Sequence, residues 1–320
     1  MKKILVLHTG GTIAMQEDEH GAVRTSAVNP LYSTTQSVAS IATIIADDYL
    51  NIPSPHMTPT LMIGLANHIR ERILSDGFDG VVITHGTDTL EETAYLLDLL
   101  LNVEIPVIVT GAMRSSNELS ADGPHNLITS IRVAACDDAR NMGVLVVFND
   151  EIHAAKTVTK THTSNVDTFK SPQFGPVGIV SKQTIFIERT PKNRESYDVR
   201  QLSKKVALLK SYAGMDREIV DAIANAKIDG LVIEAFGQGN VPPAIVPTLT
   251  QLIEDNIPVV LVSRCQNGIV QATYAYEGGG KALKDIGVIF TDGLNGQKAR
   301  LKLMVLLEKK YSRTALQQFF

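Results

Sequence analysis

The chain is 320 residues long, 44% hydrophobic and 20% charged, with a formal net charge of -4. That length suits two ordinary domains or one large one with sizeable cores, and the near-neutral charge removes any electrostatic case for nucleic-acid or membrane-surface binding. The two cysteines, Cys136 and Cys265, form no CxxC or metal-ligand spacing, so free thiols in a reducing compartment are expected rather than a disulfide framework.

Met1-Lys2-Lys3 followed by Ile4–Leu7 imitates the start of a signal peptide. The apolar run ends at once in His8-Thr9-Gly10-Gly11 and is too short for an h-region. No run approaches membrane-spanning length, and a cytoplasmic protein is expected. Short β-branched runs at Ile4–Leu7, Val81–Ile83, Val107–Val109 and Val144–Phe148 predict strands. Helical patterns fall between them at Thr60–Ser75, Leu90–Leu101 and His125–Cys136, the last preceded by the turn Asp122-Gly123-Pro124. Such alternation predicts an α/β fold with a parallel sheet covered on both faces.

From Glu188 to Lys205 the apolar period disappears and the composition turns charged, which reads as a linker. The alternation then restarts with strands at Val206–Leu209, Leu231–Phe236 and Val259–Val262, and helices at Arg217–Ala226, Ile245–Glu254 and Gln297–Lys309. Two α/β domains follow, 1–187 and 206–320, each an open mostly parallel sheet flanked by helices, joined by the charged linker 188–205.

Three stretches carry residues suited to chemistry. Val81 to Leu101 reads as strand, tight turn and helix start, with Gly86, Thr87, Asp88 and Thr89 at the carboxyl edge of a sheet, where ligands bind in such folds. Asp88-x-x-Glu91 and Thr89-x-x-Glu92 also fit capping boxes, which would use these residues only to start the helix. At the end of the first strand, Gly10-Gly11 permits a sharp turn that exposes the Thr12 hydroxyl. Neither GxxxxGK[ST] nor GxGxxG occurs there, so a phosphate loop fits poorly. Val158 to Thr163 sets Lys160 among hydroxyl residues, as a solvated lysine or as a partly buried amine of lowered pKa able to accept a threonine proton. Two strand-end threonines, an acid and a lysine, without HExxH or another metal set and without a cofactor fingerprint, point to nucleophilic acyl transfer. Backbone N–H groups at the turn before Leu90 would stabilise an oxyanion.

Thr9–Ala14, His85–Glu92, Gly111-Ala112-Met113-Arg114 with Ser120–Gly123, and Thr159-Lys160-Thr161 resemble the bacterial L-asparaginases. Gly237-Gln238-Gly239-Asn240 and Asn295–Arg300 extend the resemblance across nearly the whole chain. The resemblance implies hydrolysis of the L-asparagine side-chain amide to L-aspartate and ammonia without cofactor or metal, in a homotetramer built as a dimer of dimers. It implies Thr12 as the nucleophile forming a β-aspartyl ester, and Thr87, Asp88 and Lys160 as the second catalytic cluster. Ser54 would hold the substrate α-carboxylate and Asp88 its α-ammonium. Gly86 and Ala112 would line the substrate, and Asn240 and Glu277 would come from a neighbouring subunit. A zwitterion needs such a carboxylate seat of donors and an ammonium seat of acids. Without the family, Glu277 reads as a surface acid before a flexible Gly278-Gly279-Gly280.

Two positions depart from the family. Its loop tyrosine, which activates the nucleophile, is replaced by Ala22; Tyr274, Tyr276 and Tyr32 are the candidates to supply a substitute. Pro55 stands where the secreted, high-affinity type often has a substrate-touching glutamine. The polar stretch Met15–Asn29 is expected to close as a lid. L-Glutamine is the alternative substrate, in a glutaminase-asparaginase or an ammonia-releasing amidotransferase subunit. A non-catalytic amino-acid binding protein is the reading from another class.

Overall fold

The computed structural model describes every residue except 26–28, and the chain divides into two compact units, Met1–Asp198 and Val199–Phe320. The first unit opens with β1 (Lys3–Gly10), the hairpin β2 (Met15–Glu17) and β3 (Val23–Thr25), and a short α1 (Tyr32–Ser37). It continues through β4 (Thr43–Ile52), α2 (Pro59–Asp76), β5 (Gly80–Thr84), α3 (Leu90–Leu100), β6 (Val107–Thr110), α4 (Gly123–Ala134) and β7 (Val144–Phe148). Five short strands end it: β8 (Glu151–Ala154), β9 (Thr159–Lys160), β10 (Phe169–Lys170), β11 (Gly178–Val180) and β12 (Ile185–Ile187).

The main sheet has eight strands in the order β12-β11-β8-β7-β6-β5-β1-β4. The five from β7 to β4 are parallel, and β8, β11 and β12 add antiparallel pairs at one end. β5, β6 and β7 are buried along their whole length because helices cover both faces, which is why they read as continuous apolar runs. β4 gave no such signal. It lies at the sheet edge, half wet on both faces, and Asp47-Asp48 interrupts its apolar residues.

From β1 the chain goes to β4 on one side, then crosses to β5 on the other. The strand order therefore reverses at β1, and a sheet that reverses leaves a crevice beyond the carboxyl ends of the strands there. The turns after β1, β4 and β5 all open at that point. The stretch expected as a lid, Met15–Asn29, forms the β2–β3 hairpin over its first part, tied down where Asn117 Nδ2 donates to the Glu17 carbonyl at 2.8 Å. Residues 26–28 of that stretch lie outside the described residues.

The division between units falls within 188–205, a segment without regular structure that is nonetheless anchored. Tyr197 N–H donates to the Leu99 carbonyl at 2.8 Å, and Arg194 reaches the Asn141 carbonyl at 3.0 Å. On the far side, Lys205 N–H donates to Asp229 of the second unit at 2.8 Å. That unit holds β13 (Val206–Lys210), α5 (Glu218–Asn225), β14 (Gly230–Ala235), α6 (Val246–Glu254), β15 (Val259–Ser263), α7 (Gly280–Asp285), β16 (Ile289–Phe290), α8 (Gly296–Glu308) and α9 (Arg313–Leu316). Its four strands are parallel and run β13-β14-β15-β16. One face packs Leu231, Ile233 and Leu261 into a core with Leu249 and Leu283. α8 lies over β13 to β15, with Leu303 filling the space above Gly230.

Candidate active site

Three turns at the carboxyl edge of the first sheet touch through their backbones. Gly11 has a φ of +83°, and a Cβ there would lie 2.2 Å from the Gly86 Cα. A Cβ on Gly86 would lie 2.7 Å from the Ser54 Oγ. Only hydrogen in place of a side chain permits this approach. It brings the turn after β1, the Ser54–His56 turn after β4 and the turn after β5 to one place. Thr12 and Thr87 each follow one of the two glycines in contact, so residues far apart in sequence flank the same crevice. Thr87 is buried and Thr12 partly exposed. Gly111 closes the next turn along, just before Ala112: a Cβ on Gly111 would meet the His85 carbonyl at 2.5 Å and Thr87 Cγ2 at 3.4 Å.

Lys160 reaches this edge from β9. Its Nζ donates to Thr87 Oγ1 at 2.9 Å and to Asp88 Oδ1 at 2.8 Å, with the lysine side chain only 17% exposed. A hydroxyl, a carboxylate and an amine therefore form one connected cluster. Ser54 binds the same turn twice: its Oγ accepts from Asp88 N–H at 3.2 Å, and its carbonyl accepts from Thr89 Oγ1 at 2.9 Å. Since Ser54 Oγ accepts there, its own proton remains available to a ligand carboxylate.

The two capping boxes are not formed. Thr89 occupies the N-cap position of α3 without a side-chain bond to the helix; its hydroxyl instead donates to the Ser54 carbonyl. Asp88 is spent on Lys160, and Glu91 accepts from Thr159 Oγ1 at 2.9 Å and from Lys160 N–H at 3.2 Å.

Buried polar side chains brace the turns from behind. His85 Nδ1 lies 2.8 Å from the Gly86 carbonyl and Nε2 lies 2.9 Å from Thr93 Oγ1. A carbonyl only accepts, so Nδ1 carries the proton and Nε2 accepts from the threonine. Burial lowers its pKa to about 4, which keeps the ring neutral. Asp122 accepts from the N–H groups of Met113 and Arg114, each at 3.0 Å, and Asn126 Nδ2 donates to the Gly111 carbonyl at 3.0 Å. Among the described residues no group of three or more His, Cys, Asp or Glu is placed to hold a metal ion.

In the second unit, Asn240 closes the Phe236–Asn240 turn and accepts from Gly280 N–H at 3.2 Å through Oδ1. Glu277 is exposed on the neighbouring segment, which Val241 N–H joins through the Gly278 carbonyl at 2.9 Å. The glycines after Glu277 are not a flexible tether. They are buried, and a Cβ on Gly278, Gly279 or Gly280 would come within 2.3 Å, 2.4 Å or 2.7 Å of a carbonyl oxygen. Their role is to let two strands of backbone lie against each other.

The model of the N-terminal asparaginase domain matches residues 3–193, and that of the glutaminase/asparaginase C-terminal domain matches 205–320. The chain belongs to the asparaginase family. A protein of Deinococcus radiodurans described as a probable L-asparaginase is 40% identical over 325 residues, covering 100% of this chain and 97% of the relative. A glutaminase-asparaginase of Pseudomonas aeruginosa is 32% identical, covering 100% of this chain and 90% of its own length. A crystal structure of a probable cytoplasmic L-asparaginase from Campylobacter jejuni superimposes with a TM-score of 0.89 at 33% identity, covering 100% of this chain and 99% of that one.

Against that family, the structure groups Thr12, Ser54, Gly86, Thr87, Asp88, Ala112 and Lys160 at one edge of the first unit and holds Asn240 and Glu277 together in the second. Ala22, at the position of the family's loop tyrosine, sits in the β2–β3 turn with its N–H on Asp18 at 2.9 Å. Tyr32 donates its hydroxyl to Asp48 at 2.6 Å, and that bond raises its pKa, so the phenol keeps its proton. Tyr274 and Tyr276 are exposed and lie against each other, ring centroids 5.6 Å apart. What sequence reading missed is the bracing: Glu91, Asp122 and Asn126 carry a signal only as polar residues that turn out buried or bound.

Proposed function

We propose that this member of the asparaginase family hydrolyses the side-chain amide of L-asparagine to L-aspartate and ammonia, with Thr12 as nucleophile. The Lys160–Thr87–Asp88 cluster carries the reading, because it puts an amine on a hydroxyl at the turn that Gly11 touches. Thr12 Oγ1 attacks the amide carbon and its proton passes to the departing nitrogen; the C–N bond breaks, ammonia leaves and a β-aspartyl ester remains. Water, its proton relayed through Thr87 and Lys160, then cleaves the ester and returns the proton to Thr12. Ser54 Oγ–H and turn amides seat the α-carboxylate, and Asp88 with Glu277 seats the α-ammonium. Gly86 and Ala112 line the space between.

We place Glu277 and Asn240 in a neighbouring subunit's site within a homotetramer. The Campylobacter neighbour supports the cytoplasm as location. The Pseudomonas relative supports glutamine as a second substrate; one methylene is discriminated by only about 10–200-fold in a pocket. Ammonia release with asparagine and then with glutamine tests the reading. Thr12→Ala and Thr87→Ala should each nearly abolish turnover while the thermal transition stays put. Full activity in either variant removes that residue from the mechanism, and parent protein that binds asparagine without releasing ammonia is a binding protein.

A further inference from the structure

Lys160 sits on unusually little structure. β9 is two residues long and pairs only with the two residues of β10, outside the main sheet. A ladder that short does not by itself hold a side chain, and a lysine stem has many rotamers to lose. The amine nevertheless meets both Thr87 and Asp88. Beside the bonds that join Thr161 to Thr168, a further attachment lies at the root of the side chain and leads back to α3. Glu91, the second residue of α3 and 5% exposed, takes the Lys160 N–H and the Thr159 hydroxyl on the same oxygen, Oε1.

We infer that Glu91 is a positioning residue for the reaction: it buckles β9 to the first turn of α3, so that Lys160 is held at its backbone by residue 91 and at its amine by residues 87 and 88. Because all three belong to one rigid strand–turn–helix segment, the amine and its hydroxyl partner move together. This rests on the proposed role of Lys160. In this reading Glu91 acts on the reaction only through the placement of Lys160.

The experiment is steady-state kinetics with asparagine on purified, folded E91A, E91Q, T159V and K160M, each checked by thermal unfolding. E91A should lower kcat about a hundredfold, the cost of misplacing a catalytic group by about 1 Å, with KM nearly unchanged. E91Q keeps an oxygen acceptor for both bonds and should restore most of kcat; a merely electrostatic role would leave E91Q as impaired as E91A. T159V, which removes one of the two bonds, should show a smaller kcat loss in the same direction, and it decides the matter if E91A does not fold. Parental kcat in E91A, or in T159V where E91A is unfolded, overturns the inference while an inactive K160M leaves the proposed mechanism standing. Equal loss in E91A and E91Q also overturns it. Parental turnover in K160M removes the proposed mechanism instead, and this inference with it.

Discussion

The two units are built alike, as parallel sheets with helices against them, yet among the described residues only the first gathers the proposed catalytic threonines, acid and lysine at one crevice. Strand order explains the difference. In the first, β1 lies between β4 and β5, so successive connections leave it in opposite directions and part at its carboxyl end. In the second, β13 to β16 follow one another in sequence without reversal. The turns at its carboxyl edge knit together instead: Phe236 pairs with Asn240, Gln271 N–H donates to the Gln238 carbonyl at 2.8 Å, and Arg264 lies over the Phe236 ring at 4.5 Å. That edge presents Asn240 and Glu277 on a firm surface, as their proposed role in a neighbouring subunit's site requires.

The contrast is broken most directly at the glycines. Gly86→Ala pushes a methyl into Ser54 and should lower kcat/KM more than about a hundredfold, since misplacement by about 1 Å is enough for that loss. Retained activity would show that the three-turn contact does not organise the site. In the second unit, Glu277→Ala should act on binding: losing one ammonium contact costs about 1–3 kcal/mol, read as a rise in KM of about 5- to 150-fold with kcat less affected.

The units differ also in where burial shifts proton affinity. Burial raises Asp98 to about 6, against the Val144 N–H and Arg194 that favour its anion. Burial lowers His85 and His153 to about 4. The signs oppose each other. The native state takes up a proton at Asp98 before the unfolded chain does, so this group's contribution to stability is greatest at low pH and declines as pH rises from about 4 to about 6. The unfolded chain protonates its histidines first, so their contribution is complete above about 6.5 and is lost as pH falls toward about 4. Asp98→Asn leaves the histidines uncompensated, and unfolding free energy should fall more steeply between pH 6.5 and 4, by on the order of 2–3 kcal/mol. Urea midpoints across that range check it; an unchanged slope would mean that Asp98 is ionised throughout. The smallest effect belongs to Gly237, which has a φ of +47° and nothing within 4 Å of a Cβ. Gly237→Ala should cost about 1 kcal/mol, the usual strain of a left-handed alanine, and leave activity intact.

Much of this was legible in the residues. Buried strands such as β5 and β7 and amphipathic helices such as α4 announce themselves by local period and β-branching, and the line of turn residues after each strand marked Thr12, Thr87 and Asp88 as strand-end groups. β4 escaped because an edge strand needs no continuous apolar face, and β9 because two residues carry no period at all. Glu91 was read as a helix-starting acid because spacing alone cannot distinguish a carboxylate that caps its own helix from one that buckles a distant strand.

The amino-acid sequence by itself determined the types of the longer elements, the division into two α/β halves and the turn residues that end each strand, since each depends on residues close to one another in the chain. Tertiary structure alone decided that Gly11 lies on Gly86, that Lys160 meets Thr87 across 73 positions of chain, and that only one of the two sheets reverses its order. Those outcomes depend on which strands pair, a competition among long-range contacts that no local pattern encodes.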